Sequence, residues 1–231
     1  MAPAADYDRI APIFPRLSEE RRAYLDGIDR LVIAGIPSGA GSLLDVGAGD
    51  GSRSRRIAAA KSIPELVLLE PSVPMQRNGP AFRTMRAEDL HSVQAEFDVI
   101  VCLWNVLGHI FPESSRIEVL RQFARLASAH GKIFIDVSHR YNARHYGALP
   151  TATRFLRDRM FPNESNGDVQ VSWDIEGTRY STAGHVFTHR EVRRLCRSAG
   201  LRIEKRFVVD YATGQTRRWT FEGHLLYVLR R

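Results

Sequence analysis

The residues of this chain whose types and spacing suit chemistry gather around "LLDVGAGDGSRS", residues 43–54. An apolar run ends in Asp45, and Gly47, Gly49 and Gly51 follow at every second position. Glycines at that density let the backbone turn tightly and approach a ligand, and the helix expected from Ser52 onward presents its first amides there. A dinucleotide fingerprint, G-x-G-x-x-G, needs a glycine at position 52, where this chain has Ser52. Asp45 also stands two residues before the first glycine, where a carboxylate repels a pyrophosphate and meets an ammonium group. Glu70 closes the next apolar run, "ELVLLE", at the place where an acid takes both ribose hydroxyls in nucleoside-binding sheets.

A ribose-binding acid and a second acid beside a cationic tail fit S-adenosylmethionine (SAM). On "LLDVGAGDG", "LLEPS", "AEDL" and "FDVIVCLWNVLGHI", residues 40 to 140 resemble the class I SAM-dependent methyltransferases, and "HREVRRLCRSAGL" with the closing strands is similar too. "FDVIVCLWNVLGHI" and "KIFIDVSHRYN" look most like the small-molecule branch that includes glycine and sarcosine N-methyltransferases. The resemblance implies that Asp45, Gly47, Ala48 and Gly49 meet the amino-acid end of SAM and Glu70 its ribose. It implies that Pro71, Ser72 and Met75 border the adenine, with Ala87 and Glu88 on its other side, and that Leu103 and Asn105 lie near the methionine tail. Many relatives have an acid where this chain has Arg86, which leaves Glu88, Asp89 or a backbone carbonyl for the adenine amino group. Tyr7, in "YDRIAPIF", looks like the "YD" start of small-molecule methyltransferases in which the N-terminal segment, here residues 1–34, lids the cofactor.

Methyl transfer from a sulfonium is an in-line displacement, so holding the partners in line in a dry pocket matters most, and a base is needed only for a protonated acceptor. His109, after the fourth strand, is the first candidate base or acceptor-orienting group, and His139, after the fifth, the second. Each equally suits a histidine that braces a loop. Arg140 suits a substrate carboxylate, and Tyr141 and Asn142 follow it at the same sheet edge. Trp104 and Tyr7 suit cation–π contact with the sulfonium, and core packing also accounts for Trp104. Trp173, Tyr180 and His185 are candidates for the acceptor pocket or for pairing across a hairpin. No carboxylate cluster calls for a metal.

The elements that must position these groups alternate. "SLLDV", "ELVLLE", "AFRTM", "FDVIVCLW" and "KIFIDVS" read as strands separated by helical stretches, the pattern of a doubly wound, mostly parallel α/β sheet, here seven-stranded. Ser18 is the expected N-cap of a first helix, after an irregular N-terminus, and Gly131 the expected end of the helix that starts at Ser114. Residues 139–187 form an insertion without clear period that leads into two antiparallel strands, "VQVSWDI" and "TRYSTAGHVF", joined at Glu176 and Gly177. Thr188 and Glu191 have the spacing of a capping box.

The chain of 231 residues is expected to fold as one domain. Cys102 and Cys196, far apart in apolar runs, read as buried free thiols. No apolar run is long enough to span a membrane and the N-terminus lacks a leader, so a cytoplasmic protein without membrane contact, monomeric or homodimeric, is expected. The net charge is +7, but only three of the 33 basic residues are lysines and the arginines are scattered. A small-molecule acceptor is therefore the leading expectation. An RNA acceptor, with Arg154, Arg157 and Arg159 in one patch, and a SAM-binding protein without transfer activity are the alternatives.

Overall fold

Strand-length apolar runs in "LLDV", "ELVLL", "FDVIVC" and "KIFIDV" become the parallel heart of one sheet in the computed structural model, which describes residues 3–76, 81–175 and 177–231. The strands are β1 (Ser42–Val46), β2 (Glu65–Leu69), β3 (Phe82–Arg83), β4 (Phe97–Cys102) and β5 (Ala127–Val137), in spatial order β3-β2-β1-β4-β5. The order reverses between β1 and β4, and the crevice beyond the carboxyl ends of strands at such a point is where ligands of these sheets bind. The sheet continues antiparallel through β10 (His224–Arg230) and β8 (Arg202–Val209). An eighth strand, β9 (Thr216–Arg217), exceeds the seven expected. It forms because the Asp210 carboxylate accepts from the amides of Ala212 and Thr213 and from Arg217, which folds the chain back on β8.

Successive side chains of a strand point to opposite faces, so the same runs feed two cores. Val46, Ile100, Cys102 and Ile135 pack with residues of α5 (Glu113–Leu126) and α8 (His189–Ser198). Leu43, Val99, Val101 and Phe134 pack with Ile28 and Val32 of α3 (Arg22–Gly35) and Ile57 of α4 (Ser52–Lys61). Two acids share the second face: Asp45 meets Ser54 of α4, and Asp136 meets Tyr24 of α3. Both cysteines are buried and unpaired. The Thr188–Glu191 capping box starts α8 as expected.

Three local expectations need correction. The N-terminus is helical, in α1 (Pro3–Ile10) and α2 (Phe14–Glu20). Pro15 sits in the first turn of α2, where its fixed φ and missing N–H are tolerated, so Ser18 lies inside that helix and α3 begins at Arg22. α5 ends at Leu126, and Gly131 lies within β5 at a register shift, where a Cβ would come 2.9 Å from the Phe97 carbonyl. The insertion opens with two helices, α6 (Ala143–Tyr146), capped by the Asn142 side chain, and α7 (Ala148–Met160). It continues into the separate antiparallel hairpin β6 (Asp168–Ile175) and β7 (Thr178–His185). Glu176 of the expected turn lies outside the described residues.

α3 crosses the β8–β9 return so closely that a Cβ on Gly27 would lie 2.2 Å from the Gly214 carbonyl oxygen. Alanine favours a helix interior by about 1 kcal/mol over glycine, but overpacking against backbone costs about 1–3 kcal/mol or more. Gly27→Ala is therefore expected to destabilise the fold, read as a lowered midpoint in urea.

Candidate active site

β1 delivers the chain into the glycine loop, where Gly47, Gly49 and Gly51 all have positive φ, of 82°, 56° and 70°. The amides of Gly47 and Ala48 both donate to the Leu69 carbonyl, at 2.9 and 3.0 Å, which ties the loop to the end of β2. Glu70 extends that tie: its carboxylate accepts from the amides of Gly49 and Ser72, each at 2.9 Å. Burial pushes the Glu70 carboxyl up to about 7, against those two amide bonds. Burial likewise pushes Asp45 up to about 6, although Ser54 Oγ donates to it at 2.6 Å and Arg53 lies near.

On the other side of the crevice, Trp104 and Asn105 leave β4 with φ of 60° and 59°, a left-handed pair without glycine. Asp136 holds it. One carboxylate oxygen accepts from the amides of Trp104 and Asn105, and the other accepts from the Tyr24 hydroxyl at 2.8 Å. Asn105 then braces its surroundings, accepting from the Ser138 amide at 2.9 Å and donating to the His185 carbonyl at 3.2 Å. Neither Asp136 nor Tyr24 was singled out in the sequence. The available signal was an acid inside the apolar run "KIFIDV".

His109 ends the 3₁₀ turn Val106–His109. Its Nδ1 lies 2.9 Å from the Ala183 carbonyl, which can only accept, so Nδ1 carries the proton; Nε2 lies 2.9 Å from the Tyr7 hydroxyl, which donates to it in the neutral ring. α1 is also fastened by Ser72 Oγ, which donates to Asp8 at 2.6 Å.

A cavity of about 720 Å³ connects these groups. Tyr7, Asp45, Gly47, Ala48, Gly49 and Glu70 line it, Pro71, Met75, Ala87 and Glu88 extend it along the sheet edge, and Leu103, Trp104, Asn105 and His109 stand on its wall. Ser72, buried and bonded to Asp8, and the exposed Asp89 are not on that wall. Arg53, Ser54, Arg86 and Tyr211 are, though none was expected there.

A family model for a methyltransferase domain matches residues 16–206. The chain belongs to that family. Over 122 residues it is 29% identical to a glycine/sarcosine/dimethylglycine N-methyltransferase of Actinopolyspora halophila, a match that takes in 47% of this chain and 20% of that relative. The fold is shared with a SAM-dependent methyltransferase of Clostridium acetobutylicum, at a TM-score of 0.65 and 11% identity over 97% of this chain and 98% of the other. It is shared also with the 1,6-didemethyltoxoflavin-N1-methyltransferase of Burkholderia thailandensis, solved with 1,6-didemethyltoxoflavin and S-adenosylhomocysteine, at 0.63 and 14% over 99% and 86%. The fold is thus the Rossmann-like one of the class I SAM-dependent enzymes.

Several residues expected near the acceptor stand elsewhere in this methyltransferase. His139 is buried off the cavity: its ring donates from Nδ1 to the Thr220 carbonyl at 2.9 Å, its amide donates to His224, and burial pushes its imidazole down to about 4. Arg140 is spent internally, on Asp158 at 2.8 Å, Glu191 at 2.9 Å and the Val186 carbonyl at 3.1 Å. Tyr141 donates to the same Asp158, and His185 lies between Asp168 and Glu191, 2.6 Å from each. Asn142 caps α6. Tyr180 packs beside Ile10, Leu17 and Trp104, and the side chain of Trp173 lies outside the described residues.

A carboxyl whose pKa is raised on folding binds more protons folded than unfolded between its two pKa values, so it lowers stability as pH rises through that window. For Glu70 the window runs from its ordinary 4.5 to about 7. In urea titrations of the ligand-free protein, the stability of Glu70→Gln relative to wild type is expected to rise across this window and level off above it. For the other wall, Asp136→Ala is expected to cost about 2–5 kcal/mol, because buried donors left without a partner cost about 1–3 kcal/mol each.

Proposed function

We propose that this methyltransferase binds SAM between the glycine loop and Met75 and transfers its methyl group to a nitrogen or oxygen of a small-molecule acceptor. The observation that carries the proposal is that one cavity takes in both the Glu70-tied glycine loop and the Tyr7–His109 pair. Its volume lies within the range of about 300–1,000 Å³ typical of small-molecule and cofactor sites.

The residues present suit the cofactor. Glu70 is a buried acceptor beside loop amides and fits vicinal hydroxyls, Asp45 fits an ammonium group, and Met75 and Ala87 offer apolar surface to a flat base. When bound, SAM supplies a methyl group on a sulfonium. The protein's own contribution is to hold, orient and deprotonate. The Ala183 carbonyl keeps the proton of His109 on Nδ1, so the Nε2 lone pair accepts from the Tyr7 hydroxyl, and the acceptor's proton passes through that hydroxyl: Tyr7 gives its own proton to Nε2 as it takes the acceptor's. Tyr7 holds that nitrogen in place, and α1 and α2 wall the cavity with Ile10, Phe14 and Leu17, which excludes water.

The arginines of the insertion lend the RNA reading no support. Arg154 lies over the Tyr146 ring, 4.4 Å from its centroid, and Arg157 and Arg159 stand on opposite sides of α7, so the three do not form one patch.

Titration calorimetry with SAM and S-adenosylhomocysteine is expected to show binding that Glu70→Ala weakens by about 10–100-fold, the range for hydrogen bonds to a charged group. Absence of binding to wild type, or undiminished binding by the variant, refutes the cofactor site. A small-molecule fraction of cell extract is expected to support S-adenosylhomocysteine formation where an RNA fraction does not; the reverse result moves the acceptor to RNA. His109→Ala is expected to lower that turnover by about 10²–10⁴-fold with SAM affinity unchanged, and unchanged turnover removes the base.

A further inference from the structure

α7 is built inside out. Thr151 is its only buried residue, and the side it turns to the protein is polar: Thr151 Oγ1 donates to the Gly147 carbonyl, Arg154 lies over Tyr146, and Asp158 accepts from Arg140 and Tyr141. Half a turn away run Leu149, Ala152, Leu156 and Met160, spaced by three, four and four residues and so in one stripe of an α-helix. That stripe faces solvent. Leu149 is 76% exposed, Leu156 57% and Met160 65%, and Phe161 just beyond the helix is 67% exposed. Soluble proteins seldom leave contiguous apolar surface of this kind uncovered without using it.

Charge indicates what covers it. Arg157 and Arg159 flank the stripe on its two sides, both exposed, Arg157 while one of its guanidinium nitrogens donates to the Asn166 carbonyl at 2.6 Å and lies 3.5 Å from Asp158. Asp158, the only acid of the helix, is turned inward and already paired. A second copy laid on this face brings no acid of its own α7 to pair with these arginines. The apolar side chains also stand out over a helix about 20 Å long instead of framing a groove, and a fluid layer accepts such projections without matching holes. Nearby, the Trp219 and Phe221 rings, 54% and 49% exposed, stack 6.3 Å apart with Arg218 over Trp219. That loop is tied to α7 through the Thr220–His139 hydrogen bond and the edge contacts His139–Tyr141 and Tyr141–Phe155.

We propose that α7 is an interfacial helix that docks the protein on a bilayer surface carrying anionic headgroups, with Leu149, Leu156, Met160 and Phe161 entering the acyl boundary and Arg157 and Arg159 at headgroup level. Low net hydrophobicity, an apolar stripe and basic flanks are the features of helices that lie in the interface plane. The docking does not depend on the transfer reaction. No described helix is long and apolar enough to cross a membrane, so attachment is peripheral.

The test is flotation of the full chain with vesicles of phosphatidylcholine containing phosphatidylglycerol, beside vesicles of phosphatidylcholine alone. Wild type is expected to float with the anionic vesicles only, and less so as salt rises. Leu156→Glu/Met160→Glu is expected to reduce binding by at least about tenfold, and Arg157→Gln/Arg159→Gln to reduce it while removing much of the salt dependence. The side chains changed are exposed, so thermal melts are expected to stay within a few degrees of wild type, and a variant that does not fold is replaced by the single Leu156→Gln. Equal binding by wild type and the glutamate variant shows that the stripe takes no part in attachment and overturns the proposal. Absence of vesicle binding overturns it too, and a dimer in sedimentation that the glutamate substitutions dissolve assigns the stripe to a second copy.

Discussion

The site rests on one carboxylate. Asp136, at the end of β5, holds two consecutive left-handed residues, Trp104 and Asn105, at the end of β4 by their amides and is itself held by Tyr24 from α3. A left-handed conformation costs a residue with a Cβ about 1 kcal/mol or more, so two in succession persist only where the surroundings impose them. With the pair in place, Trp104 reaches the cavity, Asn105 secures the Ser138 amide and the β7 end, and the turn behind them presents His109. One buried acid thereby couples an N-terminal helix, two central strands and the insertion hairpin.

The insertion has a separate anchor. Arg140 joins α7 through Asp158 and α8 through Glu191, while His185 of β7 contacts Glu191 from the other side. A buried ion pair of this sort adds little net stability but penalises arrangements that separate its members, because an unpaired buried charge costs about 3–5 kcal/mol. Its value is positional. It fixes the polar side of α7 against the domain, and the apolar side is left outward as a consequence.

The glycine-loop wall of the cavity was legible in the sequence because its cues are local. Glycine spacing, an acid before the loop and an acid closing the next strand are each short-range signals, and β1 through β4 carry them in order. The facing wall depends on contacts between residues far apart in the chain, such as Tyr7 with His109 and Asp136 with Trp104, for which spacing holds no information. Arg140 and His139 read as acceptor-binding and base candidates at a sheet edge, and burial turned both toward the interior. Elements were misjudged where a local cue had two meanings. Ser18 before Glu19 and Glu20 resembles a helix start but follows a Pro15 that has already begun one, Gly131 resembles a helix end but serves a strand, and in α7 the off-stripe Phe155 blurs the helical spacing of Leu149, Ala152, Leu156 and Met160.

The two acids of the glycine loop side carry a further consequence. Glu70 near 7 and Asp45 near 6 hold part of their protons at neutral pH because burial disfavours their charged forms. A ligand that brings hydroxyl donors to one and positive charge to the other favours the ionised forms, so its arrival expels protons and its departure takes them up again. Exchange of ligand at this sheet edge is thus also an exchange of protons with the solvent, and the heat of that exchange depends on the buffer that receives them.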